Sequence, residues 1–491
     1  MEQILEGLER AIWGWPLLGL ILGTGVFLMI RLCFLPLRRF GLALRLLARS
    51  GKGSGVTPFA ALCTSLSAAI GTGNLVGVAS AIALGGPGAL FWMELSAVTG
   101  MAVKYAEGSL AIRYRETRPD GTHRGGPAHS ILLGLGRRWK PLACAFAFFG
   151  AAAGLCGVGT FVQIGSVTAC LEAWLSSCFP DTLAVELAGR QLPLAVVLLG
   201  LVLAVGTACF IFRGIGSISR LSSVLVPAMG GLYIVCCLWI LLLRLPLLPA
   251  ILRRILRTAF TPGAVGGGLI GTIRAGVSRG VFSNEAGLGT APIAIASTDA
   301  DSPAEQGLLS MTAAVFDTVL ICTLTGLVIL STGASGGPAG IRSVMEAFAA
   351  GLPLPGVLSR GLVVFILALF AFTTVVGWSF YGVSCLNFLT GDHRPAQLAY
   401  LTIYALTVLL APCFPVQSLW MAANVCNGLM AVPNLIAILL LSPVVCLDAR
   451  DIINSKKFTL LPGRRRRRNG DSLSGRPGTG LCKTGGRPVH R

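Results

Sequence analysis

The chain has 491 residues, of which 54% are hydrophobic and only 12% charged, against about 25% charged in an ordinary soluble domain. Mean hydropathy is +0.78, and 63 residues are glycine, which is commoner in membrane helices than in soluble ones. These values exclude a soluble enzyme, a disordered chain and a nucleic-acid-binding domain, so the formal net charge of +19 has to be read against a lipid bilayer.

A spanning helix needs about 20 apolar residues, and eleven segments qualify: 15–34, 57–84, 88–112, 141–170, 191–212, 217–243, 264–297, 306–331, 360–388, 396–413 and 416–446. The ~10-residue alternation of an outer-membrane barrel is absent. The expected fold class is therefore an all-α polytopic membrane protein. The opening Met-Glu-Gln-Ile-Leu-Glu is acidic and lacks the basic start of a cleavable signal peptide. Residues 1–446 read as a single transmembrane domain, and 447–491 as a basic tail without fixed structure. That tail holds 12 Lys/Arg against 3 acidic residues, including Arg464 to Arg468.

Lys and Arg set the orientation, because positive loops stay cytoplasmic. With the N-terminus outside, 28 basic residues fall in cytoplasmic segments and 8 in external ones. This predicts an odd number of spans, an external N-terminus and a cytoplasmic C-terminus in the plasma membrane. The loop from Arg244 to Arg257 dissents, with four Arg on the external side, and reads as an interfacial helix. The 15 cysteines are scattered through apolar runs and read as packing residues. Cys170 and Cys178 are the one pair placed for a disulfide. No His lies in a span and none has metal-ligand spacing, so neither an enzyme nor a structural metal is expected.

Two spans are interrupted. Segment 57–84 contains Gly71-Thr72-Gly73-Asn74, and segment 264–297 contains Ser283-Asn284-Glu285-Ala286-Gly287-Leu288-Gly289. Unpaired backbone groups cost several kcal/mol each in lipid, so such breaks belong where they line a cavity. They lie five helices apart, and Gly-interrupted helices in corresponding positions of two halves point to a transporter binding site. The expected layout is one extra helix (15–34) and two inverted five-helix repeats, 57–243 and 264–446, each opening on a broken helix. Other polar residues stand out in apolar surroundings. Thr373 and Thr374 offer hard oxygen ligands to a small cation, and Gln163 is a buried amide that needs a partner. Glu94, Lys104, Glu107, Arg274, Arg279, Glu285 and Asp317 are intramembrane charges and so candidates for function. Lys104 and Glu107, at i, i+3, read as a structural pair.

The stretch Cys63 to Ala79, Leu84-Gly85-Gly86-Pro87-Gly88 and Gly100-Met101-Ala102-Val103-Lys104-Tyr105-Ala106-Glu107 resembles the alanine/glycine:cation symporter family. So do Gly125-Gly126-Pro127, Ser278 to Gly287, Phe370 to Tyr381 and Pro433-Asn434-Leu435-Ile436. The resemblance covers about 55 to 446 and implies the leucine-transporter type fold with sodium-coupled uptake of alanine or glycine. It leaves a proton-coupled symporter, or an uncoupled facilitator or channel on the same fold, as the alternative. The chain departs from the family at Glu94, where an aromatic residue is usual, at Val383, where an acidic one is common, and at Thr373, where Ser is usual.

On this reading the substrate is a small zwitterion carried by a monomer. The N–H groups of Thr72 and Gly73 take its carboxylate at the positive end of a half-helix. Asn74, Gln163, Ser283 and Asn284 complete the polar cage around the ammonium. Trp378, one turn after Thr374, limits the substrate side chain. The Na+ ligands are the Ser67 and Ile70 carbonyls with the Thr373 and Thr374 hydroxyls. Sodium is cargo here, not a prosthetic group, and a second ion near Asn74 stays open.

Overall fold

The computed structural model describes residues 2–50, 56–179, 183–187, 189–261, 268–336, 340–414 and 416–454. Helices dominate, because apolar runs in lipid must satisfy their backbone groups within the segment. The first four are α1 (Glu2–Ile12), α2 (Trp15–Arg31), α3 (Leu35–Arg38) and α4 (Phe40–Arg49). Then come α5 (Pro58–Ala69) and α6 (Val78–Gly85), separated by a π-helical turn at Gly73–Gly77, and α7 (Gly88–Arg113). Thr57 caps α5, its hydroxyl accepting from the Ala60 N–H at 3.1 Å, with Pro58 at the first helical position.

A short antiparallel hairpin, β1 (Glu116–Thr117) and β2 (His123–Arg124), pairs Glu116 with Arg124. Arg118 and Arg124 both bind Asp392, which tethers this hairpin to the turn at 391–393. Next are α8 (Pro127–Ser130), α9 (Lys140–Cys156) and α10 (Phe161–Cys178). The expected single segment 141–170 is thus two helices. Gly157 and Gly159 interrupt it, and the Tyr404 hydroxyl donates to the freed Gly159 carbonyl at 2.7 Å. Cys170 and Cys178 stay free thiols at 8-residue separation on one helix, so the disulfide does not form.

A second hairpin, β3 (Ala184–Leu187) and β4 (Arg190–Pro193), leads into α11 (Leu194–Ile211), α12 (Ile215–Leu243) and α13 (Leu248–Phe260). Helix α13 carries three of the dissenting arginines. Its Ile255 and Ala259 are buried, Arg253, Arg254 and Arg257 are exposed, and Trp92 of α7 donates to the Ala259 carbonyl at 2.8 Å. The rest of the chain is α14 (Gly268–Asn284), α15 (Ala291–Ile295), α16 (Pro303–Ala314), α17 (Thr323–Thr332), α18 (Ile341–Gly351), α19 (Gly356–Thr390), α20 (Arg394–Leu410) and α21 (Val416–Asn454). A π-helical stretch, Val315–Cys322, joins α16 to α17.

Among the described residues eight helices are long and apolar enough to cross a membrane, or nine when α5 and α6 count as one span bent by 53°. The eleven sequence segments include two more, 88–112 and 264–297. Helix α7 carries Glu94, Lys104 and Glu107, which make it less apolar, and α14 is 17 residues long and carries Arg274 and Arg279. Leu198, Val202 and Val205 of α11 and Val235, Trp239 and Leu242 of α12 are exposed, as residues facing hydrocarbon are. Helix α21 runs to Asn454, eight residues past the expected end of the domain, because its apolar spacing persists through Val445 and Ile452. The remainder of the basic tail, 455–491, lies outside the described residues.

Candidate functional site

Three helices converge on the first break. After α5 the chain leaves helical geometry at Ile70 and turns through Gly71 and Thr72. The freed donors find side chains. The Gly71 N–H donates to Asn74 Oδ1 at 2.9 Å, and the Thr72 N–H donates to Gln163 Oε1 of α10 at 3.1 Å. A Cβ on Gly71 would lie 2.7 Å from Thr374 Oγ1 and 2.9 Å from Gln163 Oε1, so only glycine lets α19 and α10 approach this closely. Gly73 is less crowded, with Phe282 and Ser283 of α14 at 3.4 Å from the same construction.

Thr374 is the densest oxygen cluster of the site. Its Oγ1 lies 3.0 Å from the Ser67 carbonyl, 3.1 Å from the Ile70 carbonyl and 2.9 Å from the Phe370 carbonyl. Thr373 points elsewhere. Its hydroxyl bonds the Phe370 carbonyl at 2.9 Å and faces Met229 Sδ on α12. The Phe370 carbonyl leaves no mark in the sequence, since a backbone oxygen is common to every residue type.

Asp317, in the π-helical stretch, holds a second polar cluster. Asn74 Nδ2 donates to its Oδ1 at 2.8 Å, and Ser283 and Thr318 donate to its Oδ2 at 2.7 and 2.9 Å. Asn74 therefore spans both clusters, its amide oxygen on Gly71 and its amide nitrogen on Asp317. Ser283 joins this cluster from the second interrupted helix. Asn284 does not: its Oδ1 accepts the Ala286 N–H at 2.9 Å, and its buried Nδ2 approaches Gly100 of α7 without a partner among the described residues.

The second interruption follows α14 at 285–290. Glu285, Gly287 and Gly289 all have positive φ, at 53°, 89° and 80°, which costs little for glycine but strains Glu285. Carboxylates hold it. Glu107 Oε1 accepts from the Gly287 and Gly289 N–H groups, each at 3.1 Å, and from Asn434 Nδ2 of α21 at 2.8 Å. Glu285 accepts from the Thr290 hydroxyl at 2.5 Å and from the Trp378 indole N–H at 3.1 Å. Glu107 is thus the keystone of the second interruption rather than half of a Lys104 pair: no ion pair joins the two among the described residues. Lys104, 1% exposed, lies on α7 one turn before Glu107. Trp378 is fully buried and anchored by its N–H to that interruption.

The sequence residues thus sort into groups. Ser67, Ile70, Thr72, Gln163 and Thr374 meet around the first break. Asn74 and Ser283 meet on Asp317. Thr373, Asn284 and Trp378 border these clusters without joining them. Thr72 Oγ1 is a buried hydroxyl with no partner among the described residues.

The model of the sodium:alanine symporter family matches residues 1–462. An uncharacterized transporter of Haemophilus influenzae is 42% identical over 467 residues, 93% of this chain and 97% of its own. The sodium/alanine symporter AgcS of Methanococcus maripaludis is 40% identical over 461 residues, 91% of this chain and 96% of its own. The crystal structure of MhsT in complex with L-phenylalanine, a transporter of the leucine-transporter type fold, matches with a TM-score of 0.55. It is 16% identical and covers 82% of this chain and 99% of MhsT, a likeness of fold.

Proposed function

The chain belongs to the sodium:alanine symporter family, and from that premise we propose that it imports alanine or glycine by sodium-coupled symport. As a family member it is a multi-pass membrane transporter of amino acids and not an enzyme. One observation carries sodium coupling. The Thr374 hydroxyl has a single proton and three carbonyl oxygens at 2.9–3.1 Å. Two of those oxygen pairs have no proton between them and repel. A small hard cation among these oxygens turns the repulsion into ligation. The donor set is the Ser67, Ile70 and Phe370 carbonyls with the Thr374 hydroxyl. Thr373 belongs to it only after a rotamer change.

The same cage ties α5 to α19, so filling it favours one arrangement of the two helices. The substrate carboxylate takes the place of Gln163 and Asn74 on the Gly71–Thr72–Gly73 donors, and the free Thr72 hydroxyl supplies one more. Displaced, Gln163 and Asn74, with Ser283 and Asn284, turn their polar groups to the ammonium. Because cation and amino acid favour the same closed arrangement, each tightens the other by one factor. In this scheme the N-terminus is outside and the C-terminus cytoplasmic. Eleven spans form an extra helix and two inverted repeats, 57–243 and 264–446. The Arg118 and Arg124 tether to Asp392 opens when substrate leaves at the cytoplasmic end.

A proton-coupled reading rests on a different residue. Both Glu94 carboxyl oxygens are buried without a hydrogen-bond partner among the described residues, and a buried ionisable group in a membrane span is a candidate proton carrier. Radiolabelled alanine uptake into proteoliposomes separates the two. Concentrative uptake under an inward sodium gradient, and none under a proton gradient alone, supports sodium symport; the reverse overturns it.

A further inference from the structure

The turn between α11 and α12 borders a groove of about 440 Å³ that plays no part in the mechanism above. Gly214, at φ 76°, leads the chain from α11 into α12. Arg213 stands just before it and Arg220 in the second turn of α12, and both line the groove. Both are exposed, and among the described residues neither guanidinium has a hydrogen bond or ion pair. No acidic residue occurs in the sequence between Glu186 and Glu285, so this segment supplies no counter-charge of its own. The rest of the wall is apolar, from Phe210 of α11 and Leu221 and Val224 of α12. Phe210 is held edge-on against Phe372 of α19, with ring centroids 6.3 Å apart.

Val224 is 70% exposed and shares a helix face with Val235 and Leu242, both exposed as hydrocarbon-facing residues are. Arg220, one turn before Val224, lies near the same face. The groove therefore opens toward lipid, with its two positive charges at the end of the helix pair. That arrangement matches one ligand class. A phospholipid offers phosphodiester oxygens, which guanidinium groups bind through parallel hydrogen bonds, and acyl chains for the apolar wall. A free phosphate would leave that wall bare. The opposite face of the same turn looks inward. The Ser222 hydroxyl donates to Ser67 Oγ of α5 at 3.1 Å, and the Ser67 carbonyl lies in the Thr374 cluster.

We propose that this groove binds one anionic phospholipid, with its phosphate on Arg213 and Arg220 and an acyl chain along Phe210, Leu221 and Val224. The bound lipid braces the turn of α12 that packs against α5. The site is independent of which solute the chain carries.

Titration of the purified full chain in neutral detergent with dioleoyl phosphatidylglycerol, followed by native mass spectrometry, tests this. One phosphatidylglycerol binds more tightly than the rest, and phosphatidylcholine at equal concentration does not displace it. Arg213→Gln and Arg220→Gln each weaken that first binding about fivefold. Val224→Trp fills the groove and weakens it with the charge intact, which keeps the test decisive if an arginine variant misfolds. Arg253→Gln/Arg257→Gln removes two exposed arginines from α13 and leaves the first binding unchanged. A first binding unchanged in Arg213→Gln/Arg220→Gln, or in Val224→Trp, overturns the site. An equal loss in the α13 variant also overturns it, as the mark of general charge attraction. So does glycerophosphoglycerol binding as tightly as the lipid, as the mark of a free-anion site.

Discussion

The two interruptions solve one physical problem with different chemistry. At Gly71–Thr72 the freed backbone donors are held by neutral groups, Gln163 and Asn74. At 285–290 they are held by the Glu107 carboxylate, with Glu285 pinned by Thr290 and Trp378. A neutral hydrogen bond nets about 1 kcal/mol and one to a charged group about 1.5–3 kcal/mol. Neutral partners can therefore be displaced by a ligand carboxylate at small cost, whereas the carboxylate-held turn cannot. On the proposed mechanism the first interruption is where a ligand exchanges, and the second is scaffold.

The largest effect should come from the scaffold side. Glu107→Ala strands the Gly287 and Gly289 N–H groups and the Asn434 amide, each worth about 1–3 kcal/mol when buried and unpaired. Melting followed by fluorescence-detected size exclusion should show a collapse of folded protein, with Glu107→Gln recovering part of it. A Glu107→Ala protein of wild-type stability would erase the distinction between the two interruptions.

The exchange side predicts functional losses in a stable protein. Thr374→Ala removes one ligand of the proposed cation cage and should raise the sodium concentration for half-maximal uptake about tenfold, near 1.4 kcal/mol. Gln163→Leu removes the amide proposed to turn to the ammonium and leaves the Thr72 N–H without its acceptor, a cost of about 1–3 kcal/mol. It should weaken alanine binding several-fold while the melting temperature moves little. A large loss of stability in Gln163→Leu would mean that this amide is scaffold as well. Smallest is Thr373→Ala. Its hydroxyl faces Phe370 and Met229, so the sodium dependence should shift no more than about twofold, well under 1 kcal/mol. An effect equal to that of Thr374→Ala would show that the side chain turns into the cage.

The contrast also explains what the sequence could disclose. Gly71-Thr72-Gly73-Asn74 and Ser283 to Gly289 are visible because glycine and polar residues interrupt apolar runs, and Gln163 and Thr374 because an isolated polar group in such a run needs a partner. The partners themselves were hidden. Glu107 reaches Gly287 across 180 residues, whereas its i, i+3 spacing to Lys104 suggested a local pair. Asp317 gathers Asn74 and Ser283 from two distant helices, and the Phe370 contribution is a backbone oxygen. Thr373 and Thr374 look alike in sequence. Adjacent residues on a helix point about 100° apart, so they cannot share one cage in the same rotamer. Residue type discloses where a helix is polar, and only packing discloses what that polarity faces.

The central claim is that the Thr374 cage and the Gly71–Gly73 donors form one coupled unit. The direct measurement is the dissociation constant of alanine for the purified chain without sodium and with saturating sodium, in wild type and Thr374→Ala. Coupling of the ordinary size, about 1–3 kcal/mol, should tighten alanine five-fold or more in the wild type. Alanine should raise sodium affinity by the same factor, and Thr374→Ala should lose most of both. An alanine affinity indifferent to sodium in the wild type, or coupling undiminished in Thr374→Ala, would contradict the account.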